Sequence, residues 1–130
     1  MTETIRWSCT TGVNSGYELE NQRQISEEDF AAIYQETARE VYEETGTYIS
    51  AVINQARFVY HEDWGCPAGG EYGYMMTGSC NPAFSDKEAY LAALKLLIGR
   101  LKEKLGQKTM LLEIMPASVL YLTENEKQDD

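Results

Sequence analysis

The sequence has little of several residue types that common site chemistries need. Its 130 residues include one histidine, three prolines, three cysteines and eleven basic residues, the last against twenty-one acidic ones. The odd cysteine count, with no CxxC pair, argues against a disulfide framework and favours reduced thiols. No phosphate-binding loop, GxSxG elbow, HExxH motif or dinucleotide fingerprint occurs, so no motif assigns an enzyme class.

The charge balance limits the partners. A formal net charge of −10 repels phosphate backbones and anionic lipids, so we expect no nucleic-acid partner and no membrane partner. No apolar run approaches the roughly 18 residues of a membrane span, and a secretory leader pattern is absent, so the expected location is the cytoplasm. The acidity keeps a small protein in solution or, alternatively, imitates DNA and blocks a nucleic-acid-binding protein.

A chain of this length folds as one domain without needing a disulfide or a metal. We expect a single α+β domain over residues 1–123 and an acidic frayed tail over residues 124–130. Two helices carry their own start and stop signals. Ser26 can cap the first helix, which ends before Gly46. Ser85 and Glu88 form a capping box for the second helix, which ends before Gly106.

Strands supply the surface on which the apolar helix faces can pack. Ile5, Trp7 and Cys9 alternate with polar residues, and segments 48–60 and 71–80 are rich in β-branched and aromatic residues. The last apolar run contains Pro116, so we predict a strand over 109–115, a break, and a short extra C-terminal strand over 119–123. The predicted fold is a β-α-β-β-α-β sandwich, with two helices packed on one face of a four-stranded sheet.

This element order resembles the ferredoxin-like fold and also the tautomerase superfamily, whose protomers share the order before they trimerise. The resemblance covers most of the chain and concerns architecture. It implies an α+β sandwich and, for the tautomerase case, self-association. The tautomerase mechanism depends on an amino-terminal proline exposed by loss of the initiator methionine. Here Met1 is followed by Thr2, so the resemblance does not carry that activity over.

The stretch YHEDWGCPAGGEYGY, residues 60–74, is predicted to be the connection between the second and third strands. Its glycines and Pro67 account for a turn, and its indole is expected to pack against protein. Aromatic and polar side chains in or beside this hairpin are the candidates for a ligand or interface site: Tyr60, His61, Trp64, Cys66, Tyr72 and Tyr74. A reactive Cys66–His61 pair is the open alternative, and no catalytic residue is assigned.

A metal site is not expected. His61, Cys66, Cys9 and Cys80 would form a Cys₃His zinc set on paper. We expect Cys9 and Cys80 at the C-terminal ends of parallel neighbouring strands, with the other two ligands at the opposite end of the sheet. No cofactor is expected either.

The functional expectation is a small acidic, non-catalytic binding or assembly module that uses the aromatic hairpin. Its partner would be another protein or a second copy of the chain in a homo-oligomer, and a small-molecule ligand is possible. Two alternatives stay open. One is a small-molecule enzyme of tautomerase-like architecture that lacks the N-terminal proline, and the other is an acidic DNA-mimic inhibitor.

Overall fold

The structure is a computed structural model that describes residues 1–13 and 25–124. Two helices and four strands follow one another in the expected order, with a single 3₁₀ turn in the second connection. The elements are β1 Thr2–Gly12, α1 Glu27–Thr45, β2 Val52–Phe58, the turn Glu62–Trp64, β3 Glu71–Ser79, α2 Lys87–Lys104 and β4 Leu111–Val119. The predicted α+β class is therefore confirmed. The expected frayed tail lies outside the described residues from position 125 onward.

The sheet has the strand order β2-β3-β1-β4, and every neighbouring pair is antiparallel. This is the ferredoxin-like arrangement. The expectation that strands carrying Cys9 and Cys80 are parallel neighbours is wrong, because β1 and β3 run in opposite directions. Cys9 of β1 pairs with Met76 of β3. The Cys80 N–H donates to the carbonyl of Ile5, nearer the start of β1, at 3.0 Å. Within residues 1–13 and 25–124, no helix combines the length and apolar character needed to cross a bilayer.

The first helix begins and ends where its sequence signals place it. The Ser26 Oγ accepts a hydrogen bond from the Asp29 N–H at 3.0 Å, which satisfies one of the free amides at the N-terminus. At the other end Gly46 has a φ of 78°, the left-handed conformation that glycine adopts without a steric penalty.

The second helix begins one residue later than expected. Its N-cap is Asp86, whose Oδ2 accepts from the Ala89 N–H at 3.2 Å, so the predicted Ser85–Glu88 capping box is wrong. The reason is that Ser85 still belongs to the preceding turn, where its N–H donates to the Asn81 carbonyl at 3.1 Å.

The last strand runs through its proline. β4 is continuous from Leu111 to Val119, with Pro116 opposite Ile5, and no further strand follows in residues 120–124. The predicted break and short extra strand are therefore wrong. β4 lies at the sheet edge and pairs only with β1. In an edge strand the backbone nitrogen of a proline can face away from the neighbouring strand, so the proline costs no hydrogen bond of the sheet.

One face of the sheet is buried under both helices. Trp7 is fully buried there, and its Nε1–H donates to the Tyr90 hydroxyl of α2 at 2.8 Å. Burial raises the pKa of Tyr90 to about 12. The indole lies over Gly78, where an added Cβ would stand 2.6 Å from the Trp7 Nε1 and 2.7 Å from the Ser50 carbonyl oxygen. Any larger residue at position 78 would therefore displace the tryptophan or the backbone.

The opposite face of the sheet, called the open face below, carries the alternate residues of the same strands. It includes the cross-strand pairs Thr10 with Leu111, Gly12 with Gly73 and Val52 with Thr77. Several apolar side chains remain exposed on it, namely Val52, Met75 and Leu111. The two faces thus differ in kind, one being a sealed core and the other a surface.

The outer sides of the two helices are joined by charged groups. The Arg100 guanidinium makes two hydrogen bonds to the Glu44 carboxylate, one of them 2.7 Å long, and Lys104 lies 2.8 Å from Glu40. The hydrogen bond from Arg100 holds the pKa of Glu44 below its usual range.

Leu94→Ala tests the burial of α2. We expect it to lower the free energy of unfolding by about 2 to 5 kcal/mol, because Leu94 is 0% exposed and its loss leaves a cavity. Leu96→Ala is the matched control, since Leu96 lies in the same helix and is 36% exposed; its cost should stay below about 1 kcal/mol. Urea unfolding measures both, and equal costs would contradict the burial described.

Arg100→Met tests the charged contact between the helices. The pKa of Glu44 is lowered in the folded state, so this contact stabilises the protein above the ordinary glutamate pKa of about 4.3 and is lost as the pH falls through the lowered value. The stability difference between wild type and Arg100→Met should therefore be greatest near pH 7 and shrink toward pH 3. Arg39→Met, on the exposed side of α1, is the control. A difference that does not depend on pH would exclude the ionic explanation.

Candidate functional site

The β2–β3 hairpin closes through a capped 3₁₀ turn. The His61 Nδ1 accepts from the Asp63 N–H at 3.0 Å, and Gly65, with a φ of 102°, ends the turn. Trp64 projects from this turn and is 70% exposed, with its ring 5.7 Å from that of His61. The expectation that Trp64 packs against the protein is therefore wrong for the monomer, because the turn directs the indole outward.

Cys66 and His61 each have another partner in the described hairpin. The Cys66 sulfur is directed at backbone carbonyls, 3.4 Å from that of Pro67 and 3.9 Å from that of Phe58. His61 is engaged with the backbone and carboxylate of Asp63, the latter at 3.6 Å. The geometry of the turn thus explains both residues structurally.

Tyr72 and Tyr74 lie on the helix side of the sheet. The Gln55 amide donates to the Tyr72 hydroxyl, which is 2.8 Å from the Tyr74 hydroxyl, and Tyr74 in turn donates to the Ile25 carbonyl. The Tyr74 ring also stacks on Phe30 of α1 with 4.3 Å between centroids. Burial raises the pKa of Tyr74. These two tyrosines therefore hold the start of α1 against the sheet.

Tyr60 is the sequence candidate that enters a cavity with another polar group. Its hydroxyl donates to the Glu71 Oε2 at 2.7 Å, and both residues are half-buried. They share a cavity of 390 Å³ at the hairpin end of the open face, within the size range of small-molecule sites. Its lining combines strand ends with the connection before β4: Thr10, Gly12, Phe58, Tyr60, Glu71, Gln107, Thr109, Met110 and Leu111.

The strand register determines which groups meet in this cavity. Glu71 pairs with Phe58 across the hairpin, and residues 71 and 73 share the open face. An added Cβ at Gly73 would lie 2.9 Å from the Phe58 ring, so that ring lies across the glycine. The Phe58 ring therefore lines the same cavity as Glu71, whose carboxylate accepts the hydrogen bond from the Tyr60 phenol.

The cavity is electrostatically simple. Glu71 carries the one formal charge among its described lining residues, and apolar groups such as Phe58, Met110 and Leu111 surround it. A carboxylate in partly apolar surroundings attracts a cation and can orient it through hydrogen bonds. A cavity of 540 Å³ along α1, lined by Glu36 and Arg39 among others, has no carboxylate hydrogen-bonded to another lining side chain in the described structure.

Metal-binding groups are not clustered in the part of the chain that the structure describes. Among residues 1–13 and 25–124, no three His, Cys, Asp or Glu side chains are placed to hold one ion. All three cysteines are free, and burial raises the pKa of Cys9 to about 11, so its thiol stays protonated near neutral pH.

Glu71 is the site residue that sequence reasoning missed. It was part of the quoted stretch, but a single glutamate between glycines and tyrosines has no spacing that marks it as functional. The available signal was the strand pattern. Glu71 alternates with Tyr72 and Tyr74, which pack with the core, so it faces the opposite side of the sheet.

The fold occurs in solved structures of a phage SAM lyase. The apo structure matches with a TM-score of 0.60 and 15% identity, covering 97% of this chain and 94% of that chain. A complex of phage SAM lyase with S-methyl-5'-thioadenosine matches with a TM-score of 0.59 and 17% identity, covering 85% of this chain and 79% of that chain. At these identities the likeness shows a shared fold. No curated protein sequence matches the chain.

A protein-family model described as SAM lyase matches residues 2–123. This match overturns the expectation of a non-catalytic binding or assembly module, because the family is one of enzymes. The enzyme alternative agrees better with this match, which does not confirm its tautomerase-like description. With nearly its whole length matched, the chain belongs to the SAM lyase family.

Proposed function

We propose that the chain is a lyase that cleaves S-adenosylmethionine and releases S-methyl-5'-thioadenosine. The substrate class comes from the family name and the product from the small molecule bound in a similar phage structure. The observation that supports this cavity as the active site is the hydrogen bond between Tyr60 and Glu71 inside its 390 Å³ volume. The family match over residues 2–123 supports the single domain as the functional unit, and three free cysteines suit a cytoplasmic location.

The chemistry of substrate and product identifies the bond that breaks. S-Adenosylmethionine has a positively charged sulfonium, and S-methyl-5'-thioadenosine keeps both the methyl and the adenosyl group on sulfur. The broken bond is therefore the one from sulfur to Cγ of the amino-acid moiety. Its electron pair stays on sulfur, which becomes a neutral thioether. A negatively charged cavity binds the cationic substrate more strongly than the uncharged nucleoside product, so the same carboxylate favours product release.

After the bond to sulfur breaks, Cγ can complete its valence by two routes that do not add water. In the first, the substrate's own carboxylate attacks Cγ as the sulfur leaves, which gives the five-membered lactone of homoserine. In the second, a base removes a proton from Cβ and an alkene forms. We favour the first route, because the Cβ proton is not activated whereas ring closure needs mainly orientation. In this route Glu71 orients the sulfonium so that Cγ lies within reach of the substrate's own carboxylate, and the Tyr60 hydroxyl fixes the carboxylate of Glu71.

Glu71→Gln and Tyr60→Phe test the site. Glu71→Gln should lower kcat/KM for release of S-methyl-5'-thioadenosine by about 100-fold or more, because it removes the charge. Tyr60→Phe should cost about 10-fold, because the carboxylate stays but loses its hydrogen bond. Chromatography quantifies the nucleoside, and NMR of the four-carbon product separates the lactone from the alkene.

Cys66→Ser is the control for these variants, because the Cys66 sulfur is directed at the backbone carbonyls of Phe58 and Pro67 and Cys66 is not among the lining residues of the cavity. An inactive wild type would refute the lyase. An active Glu71→Gln variant would refute the site while leaving the lyase standing.

The expected self-association belongs to the same proposal. Leu111 lines the cavity yet is 71% exposed, so the site is open on the sheet side. Lactone formation competes with attack by water unless the site is closed. A second copy packed on the open face would cover Val52, Met75 and Leu111 and would also close the cavity.

Val52→Arg tests this association. A charge on the open face should shift the protein toward monomer in sedimentation and lower its activity, since the desolvation of arginine disfavours an apolar contact. Tyr42→Arg is the matched control: Tyr42 is also a partly exposed apolar residue, but it lies on α1, away from the open face. A Val52→Arg variant that sediments like wild type would contradict the interface, whereas a monomeric and fully active variant would contradict closure by a second copy.

A further inference from the structure

The carboxylate of Glu71 occupies space that a side chain on β1 would otherwise fill. A Cβ added at Gly12 would stand 2.6 Å from the Glu71 Oε1 and 3.6 Å from its Cδ. The other oxygen, Oε2, is the one that accepts from Tyr60 at 2.7 Å. The two oxygens of one carboxylate are thus used differently, one against the bare backbone of β1 and one in a hydrogen bond.

The backbone at position 12 does not itself require glycine. Within residues 1–13 and 25–124 the glycines with positive φ are Gly46, Gly65, Gly69, Gly70 and Gly106, and Gly12 is not among them. It is the last residue of β1 and lies in the regular register opposite Gly73. An alanine would keep this extended conformation and would fit a strand as well as glycine does.

The two paired glycines differ in what a methyl group would meet. At Gly73 the nearest atom is the Thr11 backbone oxygen at 2.4 Å, which cannot move without disturbing the sheet. At Gly12 the nearest atom is the Glu71 Oε1 at 2.6 Å, the end of a flexible side chain, and the next is the Gln107 Oε1 at 3.4 Å. A methyl group at position 12 would therefore be accommodated by moving the carboxylate of Glu71 rather than the backbone.

We propose that Gly12 is a positioning residue for the lyase reaction. The absence of a side chain at this point of β1 lets one oxygen of the Glu71 carboxylate lie against the strand, while the other oxygen accepts the hydrogen bond from the Tyr60 hydroxyl. The inference rests on the proposed function, because it assigns the reason for glycine to the placement of the group that holds the substrate. Gly12 itself contacts no reacting atom in this assignment.

Gly12→Ala is the central variant. The carboxylate keeps its charge, so attraction of the cationic substrate persists and KM should change by less than about 3-fold, whereas kcat should fall by about 10- to 100-fold because the carboxylate is misplaced. The melting temperature should stay close to that of the wild type. Gly99→Ala, where an added Cβ meets nothing within 4 Å, is the control and should keep full activity.

Glu71→Asp provides the test of coupling. Its shorter side chain cannot reach the space above Gly12, so adding Gly12→Ala in that background should change kcat by less than about 2-fold. A general structural defect at position 12 would lower kcat equally in both backgrounds. Equal losses would therefore overturn the positioning role.

A crystal structure of the Gly12→Ala protein gives the readout that does not depend on activity. The inference expects the distance between the Tyr60 hydroxyl and the nearest Glu71 carboxylate oxygen to grow beyond hydrogen-bond range. A carboxylate that stays in place, or one that moves with no loss of kcat, would overturn it. If the wild type fails to cleave S-adenosylmethionine, the proposed function fails, while the crystal structure still decides whether Gly12 positions Glu71.

Discussion

The constraint on which this structure depends is the two-sidedness of its sheet. Successive residues of a strand point to opposite faces, and only one face is covered by helices. In β3 this rule sends Tyr72 and Tyr74 under α1 and sends Glu71 to the open face. One short stretch therefore supplies both a structural anchor and a candidate site residue. The same rule on β1 buries Trp7 and leaves Gly12 beside the cavity.

Local signals explain why much of the fold could be predicted from the sequence. Ser26 and Gly46 act through hydrogen bonds and dihedral angles within a few residues of themselves, so their effect is visible without knowing the tertiary structure. The break predicted at Pro116 was wrong because the effect of a proline depends on whether its strand is central or at the edge of the sheet. Edge position is a property of the strand order, and no local pattern encodes that order.

The candidate site was only partly predictable for the same physical reason. Tyr60 stood out as an aromatic residue beside a hairpin, yet its contact with Glu71 depends on the pairing of the strands. Gly12, which lies beside the Glu71 carboxylate, belongs to β1, far away in the sequence. His61, Trp64 and Cys66 attracted attention through their chemistry, and the structure uses them in a turn. Reactive residue types in a loop are weaker indicators than a half-buried carboxylate with a fixed hydrogen-bond donor.

The two tryptophans of the chain stand in opposite environments, and this gives the protein two distinct optical reporters. Trp7 is sealed in the core with its N–H bonded to Tyr90, so its fluorescence emission should lie at short wavelength and respond to unfolding. Trp64 is mostly in water at the tip of the hairpin, so its emission should lie at longer wavelength and be quenched by iodide. Because the hairpin borders the cavity, selective quenching separates events at the site from loss of the fold.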